Sequence, residues 1–209
     1  MIRCVVFDFD GTLVDSNHIK QRAFFEVAGV FSDGAALMGD VLHEAAQRDR
    51  YWVFDTFARR MPVNIDATAL AKFYTWICQD RIAAAPEVPG ALRSLELLRS
   101  NAIDLFLNSA TPSEPLTTLV RMRQLDGLFC GIYGAPATKS DNLATIRQKH
   151  GYGPEEMLVV GDGESDRHSA EVTGCHFLAV ENSDNDFAHV PSSRVRDLTT
   201  LQDIVLSIS

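Results

Sequence analysis

Short apolar runs recur along the chain at residues 3–7, 103–107, 128–133, 157–160 and 176–180. Their length, and the Gly, Asn and Asp residues around them, predict buried strands. Between the later runs, apolar residues return at helical spacing. Leu92, Leu95 and Leu98 define a helix over 91–99. Leu119, Val120 and Met122 define one over 116–125. Leu143 and Ile146 define one over 141–150, with Gly151 placed to cap it, and a fourth covers 166–172 before Gly174. A last helix over 198–208 would pack Leu201, Ile204, Val205 and Ile208. Strands alternating with helices predict an α/β fold. It is a Rossmann-like parallel sheet with helices on both faces and ligands beyond the strand C-termini.

The alternation fails from residue 17 to about residue 85. No strand pattern occurs there. Ala23, Phe24 and Val27 are spaced for a helix over 20–28, and long amphipathic segments cover 41–60 and 67–84. Pro62, Pro86 and Pro89 punctuate the ends. The predicted organisation is a catalytic core of 1–16 and 86–209 with an inserted all-helical cap subdomain of 17–85. An insertion between a first strand and its crossover helix is expected over the C-terminal sheet edge, where it can act as a lid.

Composition narrows the classes. With 209 residues, 46% apolar and 22% charged, the chain can bury one core plus a modest subdomain. A net charge of -9 disfavours nucleic acid and anionic membranes as partners. It permits an anionic substrate, because a bound cation and local Lys or Arg can reverse the field inside one pocket. Cys4, Cys78, Cys130 and Cys175 show no metal-site spacing. Cys4, Cys130 and Cys175 lie beside strand runs and read as buried free thiols, which implies a reducing, cytoplasmic compartment. A strand beginning at residue 3 leaves no room for a signal peptide, and no apolar run reaches membrane-spanning length.

The chemistry gathers at strand ends. Val5-Val6-Phe7-Asp8-Phe9-Asp10-Gly11-Thr12 puts two carboxylates one residue apart where the chain leaves the core. Carboxylates that close repel unless a cation or a shared proton relieves them. They read either as a hard-cation site with one oxygen free to attack an electrophile, or as a solvated turn. Val159-Val160-Gly161-Asp162-Gly163-Glu164-Ser165-Asp166 repeats the logic, with Asp166 either at the site or capping the next helix. Leu107-Asn108-Ser109-Ala110-Thr111 ends another strand in hydroxyls that suit phosphate oxygens or a helix cap. Lys139, in the loop before a helix, matters only if it reaches the carboxylates.

Strand ends carrying DxD, Ser, Lys and GDxxxD in that order resemble the haloacid dehalogenase-like (HAD) superfamily of phosphohydrolases. The likeness is to its phosphatase branch with a helical cap after the first motif, the branch of phosphoglycolate phosphatases and β-phosphoglucomutases. It implies that Asp8 attacks phosphorus to form an aspartyl-phosphate. Asp10 then protonates the leaving alcohol, deprotonates water, and lends its carbonyl to Mg²⁺. The resemblance makes Asp8, Asp10, Asp162 and Asp166 the metal site, with Asp166 a ligand through water or a support for Lys139. It makes Ser109 and Lys139 the stabilisers of the phosphoryl group, with Thr12, Ala110 and Thr111 at the substrate. Dehalogenases of the family lack an acid at the position of Asp10, since a halide leaving group needs no proton. Asp10 therefore favours phosphate chemistry.

The expected function is Mg²⁺-dependent hydrolysis of a small phosphorylated metabolite, such as a sugar phosphate, by a monomer or homodimer. A phosphosugar mutase is the alternative. A non-catalytic regulatory protein is disfavoured because retirement should remove Asp8 or Asp10 first. In the cap, Arg50 and Tyr51 are the expected specificity residues, since Arg binds anions bidentately and Tyr offers a flat hydroxylated surface. Arg48, Arg59 and Arg60 read instead as a solvated helix face. The stretch 181–191, with Asn182, Asp184, Asn185 and Asp186, lacks the Gly and Glu offsets of a calcium loop and reads as a polar connection.

Overall fold

The computed structural model describes residues 1–45, 48–185 and 187–208. Six parallel strands form one sheet in the order β3-β2-β1-β4-β5-β6. They are β1 (Cys4–Phe7), β2 (Asp104–Pro112), β3 (Gly131–Ala135), β4 (Met157–Gly161), β5 (His176–Val180) and β6 (Arg194–Val195). The α/β architecture is the one its alternating pattern predicts. The two-residue β6 carries no apolar signal and was not expected. β2 runs further than its apolar segment because Asn108, Ser109 and Thr111 continue it as buried polar residues.

Alternate positions of the strands face opposite sides. Cys4, Val6, Phe106, Met157 and Val159 pack with Leu143 and Ile146 of α7 (Lys139–His150) and Ala170 of α8 (Glu164–Thr173). α5 (Ala91–Ser100) and α6 (Ser113–Met122) carry the crossovers from β1 to β2 and from β2 to β3, and α9 (Leu201–Ser207) contacts α5. Connections run outward one way through β2 and β3, then reverse to β4 and β5. The switch point therefore lies between β1 and β4, where a ligand crevice is expected.

The backbone divides into two compact units, residues 1–16 with 85–209, and residues 17–84. At the edge of the first unit, Val14 bridges Glu87 antiparallel, and Asp15 N–H and Val88 N–H bond the carbonyls of Pro86 and Leu13. These paired segments are where the chain leaves and re-enters. The second unit contains α1 (Asn17–Ala28), α2 (Gly34–Glu44), α3 (Arg50–Arg60) and α4 (Ala67–Ala83). Phe24, Phe54 and Tyr74 meet in its core, with ring centroids 4.3 to 5.7 Å apart.

Three expectations are corrected. The single helix over 41–60 is two helices: α2 ends at Glu44, and Asp49 caps α3 by accepting from Trp52 N–H. Lys139 opens α7 rather than preceding it, because Thr138 supplies the cap. Cys130 is exposed beside Arg99 and Asp104, since it stands at the margin of edge strand β3.

The cap of α7 bears directly on Lys139. Thr138 Oγ1 accepts from Asp141 N–H at 3.1 Å, and Asp141 Oδ2 accepts from Thr138 N–H at 3.4 Å. Thr138→Ala is expected to cost about 1 kcal/mol in urea denaturation.

Candidate active site

The first carboxylates lie just past β1. Asp8 continues the ladder by donating its N–H to the Val160 carbonyl, and its Oδ1 accepts from Phe9 N–H at 2.7 Å. The chain then turns sharply. Gly11, at φ 76°, takes a conformation that few other residues tolerate, and its N–H reaches the Val14 carbonyl. This turn separates the surroundings of Asp10 from those of Asp8. Ser16 Oγ donates to Asp10 Oδ1 at 2.7 Å, and Thr111 Oγ1 donates to Asp10 Oδ2 at 3.1 Å.

Asp8 meets different partners. Lys139 Nζ lies 2.9 Å from Asp8 Oδ2 and 2.8 Å from Asp166 Oδ1. Asp8, Asp162 and Asp166 each offer a carboxylate oxygen, and these three atoms lie within 4.8 Å of one another. All three acids and Lys139 are at most 9% exposed, so solvent does little to screen them. Burial alone would lower the Lys139 ammonium, but Asp166 and Asp8 outweigh it and hold the group above its usual value. Burial pushes the Asp166 carboxyl up to about 8; Lys139 opposes this, while Asp8 and Asp162 add to it. One lysine thus faces a set of three carboxylates. An all-oxygen donor set of this kind suits a hard divalent cation such as Mg²⁺.

Glycine makes room for this cluster. A Cβ on Gly161 would stand 2.3 Å from the Asp166 Cγ, so only glycine lets β4 pass this close to the carboxylate. Asp166 is the third residue of α8 and also accepts from Gly163 N–H at 3.3 Å. Capping and site roles therefore coincide in one side chain.

Residues 2–172 match the haloacid dehalogenase-like hydrolase family. The chain belongs to that family. A phosphoglycolate phosphatase of Aliivibrio fischeri is 28% identical over 201 residues, covering 86% of this chain and 84% of that protein. The fold is shared with a candidate β-phosphoglucomutase from Thermotoga maritima, at TM-score 0.78 and 18% identity over all of both chains. It is shared equally with L-2-haloacid dehalogenase from Xanthobacter autotrophicus, at TM-score 0.70 and 19% identity over all of both chains. Chemistries within this HAD fold must therefore be told apart by side chains.

The structure brings Asp8, Lys139, Asp162 and Asp166 together, with Asp10 on its own pair of hydroxyls. Ser109 is buried and accepts from Thr111 N–H at 3.1 Å. Thr111 lies against Asp10, Thr12 is fully buried and donates to Asp162 Oδ1 at 3.3 Å, and Ala110 is exposed. Within the helical unit, Arg50 donates to Thr75 Oγ1 at 2.9 Å and lies over the Tyr74 ring. Tyr51 is half exposed and, one position along the helix, faces another way. Arg59 and Arg60 form exposed ion pairs with Asp55 and Glu44, and Arg48 lies over Trp52.

Sequence reasoning missed Asn182 and Asn185, whose carboxamides bond the side chain and main chain of Asp162. No motif marks them, since their relevance depends on where the turn after β5 folds. Asp186, from the same stretch, lies outside the described residues.

Gly161→Ala is expected to displace Asp166, lowering stability by about 1–3 kcal/mol and weakening Mg²⁺ binding. Urea denaturation and metal titration read the two effects. A second expectation concerns pH. The folded pKa of Asp166 lies above its unfolded value of 3.8, so the folded chain holds that proton more tightly. Its contribution to stability is complete below pH 3.8 and is lost as pH rises from about 4 to about 8. The raised pKa of Lys139 acts above its unfolded value of 10.5 and leaves this window unchanged. The metal-free melting temperature should fall between pH 5 and pH 8 more steeply than that of Asp166→Asn. Equal slopes in calorimetry would show that Asp166 is not an uncompensated acid.

Proposed function

We propose that this HAD hydrolase cleaves a small phosphate monoester through an aspartyl-phosphate on Asp8, with Asp10 as general acid and base. The carrying observation is that two carboxylates two residues apart occupy different surroundings. Asp8 is paired with a buried ammonium, and Asp10 is held by two neutral hydroxyls. Lys139 Nζ stands 2.9 Å from Asp8 Oδ2, a positive charge beside the attacking carboxylate. The hydroxyls of Ser16 and Thr111 orient Asp10 for proton transfer to and from the reacting oxygens.

In the proposed reaction, an Asp8 oxygen attacks phosphorus while the bond to the leaving oxygen breaks. Asp10 gives that oxygen its proton. Asp10 then takes a proton from the water that attacks the phosphoryl group, releasing phosphate and restoring the Asp8 carboxylate. Lys139 offsets charge between Asp8 and the phosphoryl oxygens, and Ser109 hydrogen-bonds them. Asp8, Asp162 and Asp166, with the Asp10 main-chain carbonyl, would hold Mg²⁺, which supplies positive charge against the transferring group.

Several observations support the substrate class. The curated relative is named a phosphoglycolate phosphatase. An acid at Asp10 serves an alkoxide leaving group, whereas a halide needs no proton, and this separates the reading from the dehalogenase of the same fold. We assign residues 17–85 as a cap that sets specificity, with Arg50 and Tyr51 among its recognition residues. Free cysteines and the lack of any membrane-spanning helix among the described residues fit a reducing cytoplasmic setting.

The test is phosphate release from 2-phosphoglycolate, sugar phosphates, nucleotides and p-nitrophenyl phosphate, with Mg²⁺ and with EDTA. Release on a small phosphorylated metabolite, abolished by EDTA, is expected. Asp8→Asn should lose about 1,000-fold or more in kcat while keeping its fold. Isomerised sugar phosphate in place of released phosphate would overturn the hydrolase reading in favour of a mutase.

A further inference from the structure

Two neutral side chains donate to the Asp162 carboxylate. Thr12 Oγ1 donates to Oδ1 at 3.3 Å, and Asn182 Nδ2 donates to Oδ2 at 2.8 Å. The second hydrogen of the Asn182 amide reaches the Gly11 carbonyl at 3.3 Å, so one carboxamide spans the turn after Asp10 and the end of β4. Its Oδ1 is occupied too, accepting from Asp184 N–H at 2.9 Å.

Asn185 completes the arrangement. Its Nδ2 donates to the Asp162 carbonyl at 2.7 Å and to the Val180 carbonyl at 3.1 Å, while its Oδ1 accepts from Asn182 N–H at 2.9 Å. Each amide oxygen faces an N–H and each amide nitrogen faces oxygens. Both groups can therefore sit only one way round. The turn after β5 is thus locked onto Asp162 by two fully satisfied carboxamides.

We propose that Asn182 is a positioning residue for cation binding, holding the Asp162 carboxylate at the angle a divalent cation requires, with Asn185 fixing Asn182. The proposal rests on the reading of Asp162 as a metal ligand. Its physical sense lies in neutrality. An Arg or Lys here would orient Asp162 but cancel its charge. An amide orients it through a hydrogen bond and adds no positive charge of its own. Outer hydrogen bonds of this kind commonly govern metal affinity about 10–100-fold.

The test is calorimetric titration of Mg²⁺ into metal-free protein, for the natural chain and for Asn182→Leu, Asn182→Ala and Asp162→Asn. Asn182→Leu keeps the branching at Cγ and removes the donor; Asn182→Ala covers the case in which the bulkier Leu disturbs folding. Expected is a rise of about 10–100-fold in the Mg²⁺ Kd, with kcat at saturating Mg²⁺ within about threefold of the natural chain. A purely structural role would lower the metal-free melting temperature and leave the Kd unchanged, and a Kd within about twofold in a folded variant overturns the proposal. Asp162→Asn separates this from the underlying reading. If Asp162→Asn binds Mg²⁺ as tightly as the natural chain, Asp162 is not a ligand and that assignment fails first.

Discussion

The contact on which the site depends is the buried ammonium of Lys139 between Asp8 and Asp166. A single carboxylate buried this deeply would be held neutral, and a single lysine would lose its proton. Placed together they sustain each other, but the sum is unequal. Burial is the main reason the Asp166 carboxyl is pushed up to about 8, with Asp8 and Asp162 adding to it and Lys139 opposing. The cluster is therefore a standing demand for another positive charge.

The groups around it answer a different need. Ser16 and Thr111 on Asp10, and Thr12 and Asn182 on Asp162, all donate hydrogen bonds without bringing charge. They fix direction and leave the electrostatics to Lys139 and to whatever cation the carboxylates attract. Glycine serves the same packing: Gly161 lets β4 pass against Asp166 where any side chain would collide. Backbone connectivity and site chemistry are solved by the same residues, since Asp166 both caps α8 and pairs with Lys139.

The chain forms two compact units, and the charged cluster belongs to one of them. The helical unit has its own aromatic core in Phe24, Phe54 and Tyr74, and its arginines are largely engaged with acids or rings of that unit. The charged cluster draws every member from strand ends and helix starts of the sheet unit. A candidate β-phosphoglucomutase and a haloacid dehalogenase share this fold, so fold alone does not choose between activities.

Local signals made much of this chain legible in one dimension. Apolar runs and helical periodicity are short-range properties, so the parallel α/β class and most of its strands could be read directly. Asp8, Asp10, Asp162 and Asp166 stood out only as a set: a DxD pair or an Asp before a helix also reads as a turn or a cap, and the order of charged strand ends carried the resemblance. The break between α2 and α3 was less legible, because an amphipathic pattern can continue past the end of one helix into the next. Asn182 and Asn185 were invisible for a deeper reason. A carboxamide has no distinctive spacing, and its meaning comes from the atom it faces. That Asp162 is oriented by neutral donors, and that Asp10 sits on hydroxyls rather than beside Lys139, is decided where segments distant in the chain meet. The sequence by itself determined which strand ends carry charge; only the tertiary structure decided which charges are paired, which are merely oriented, and how much remains for a cation.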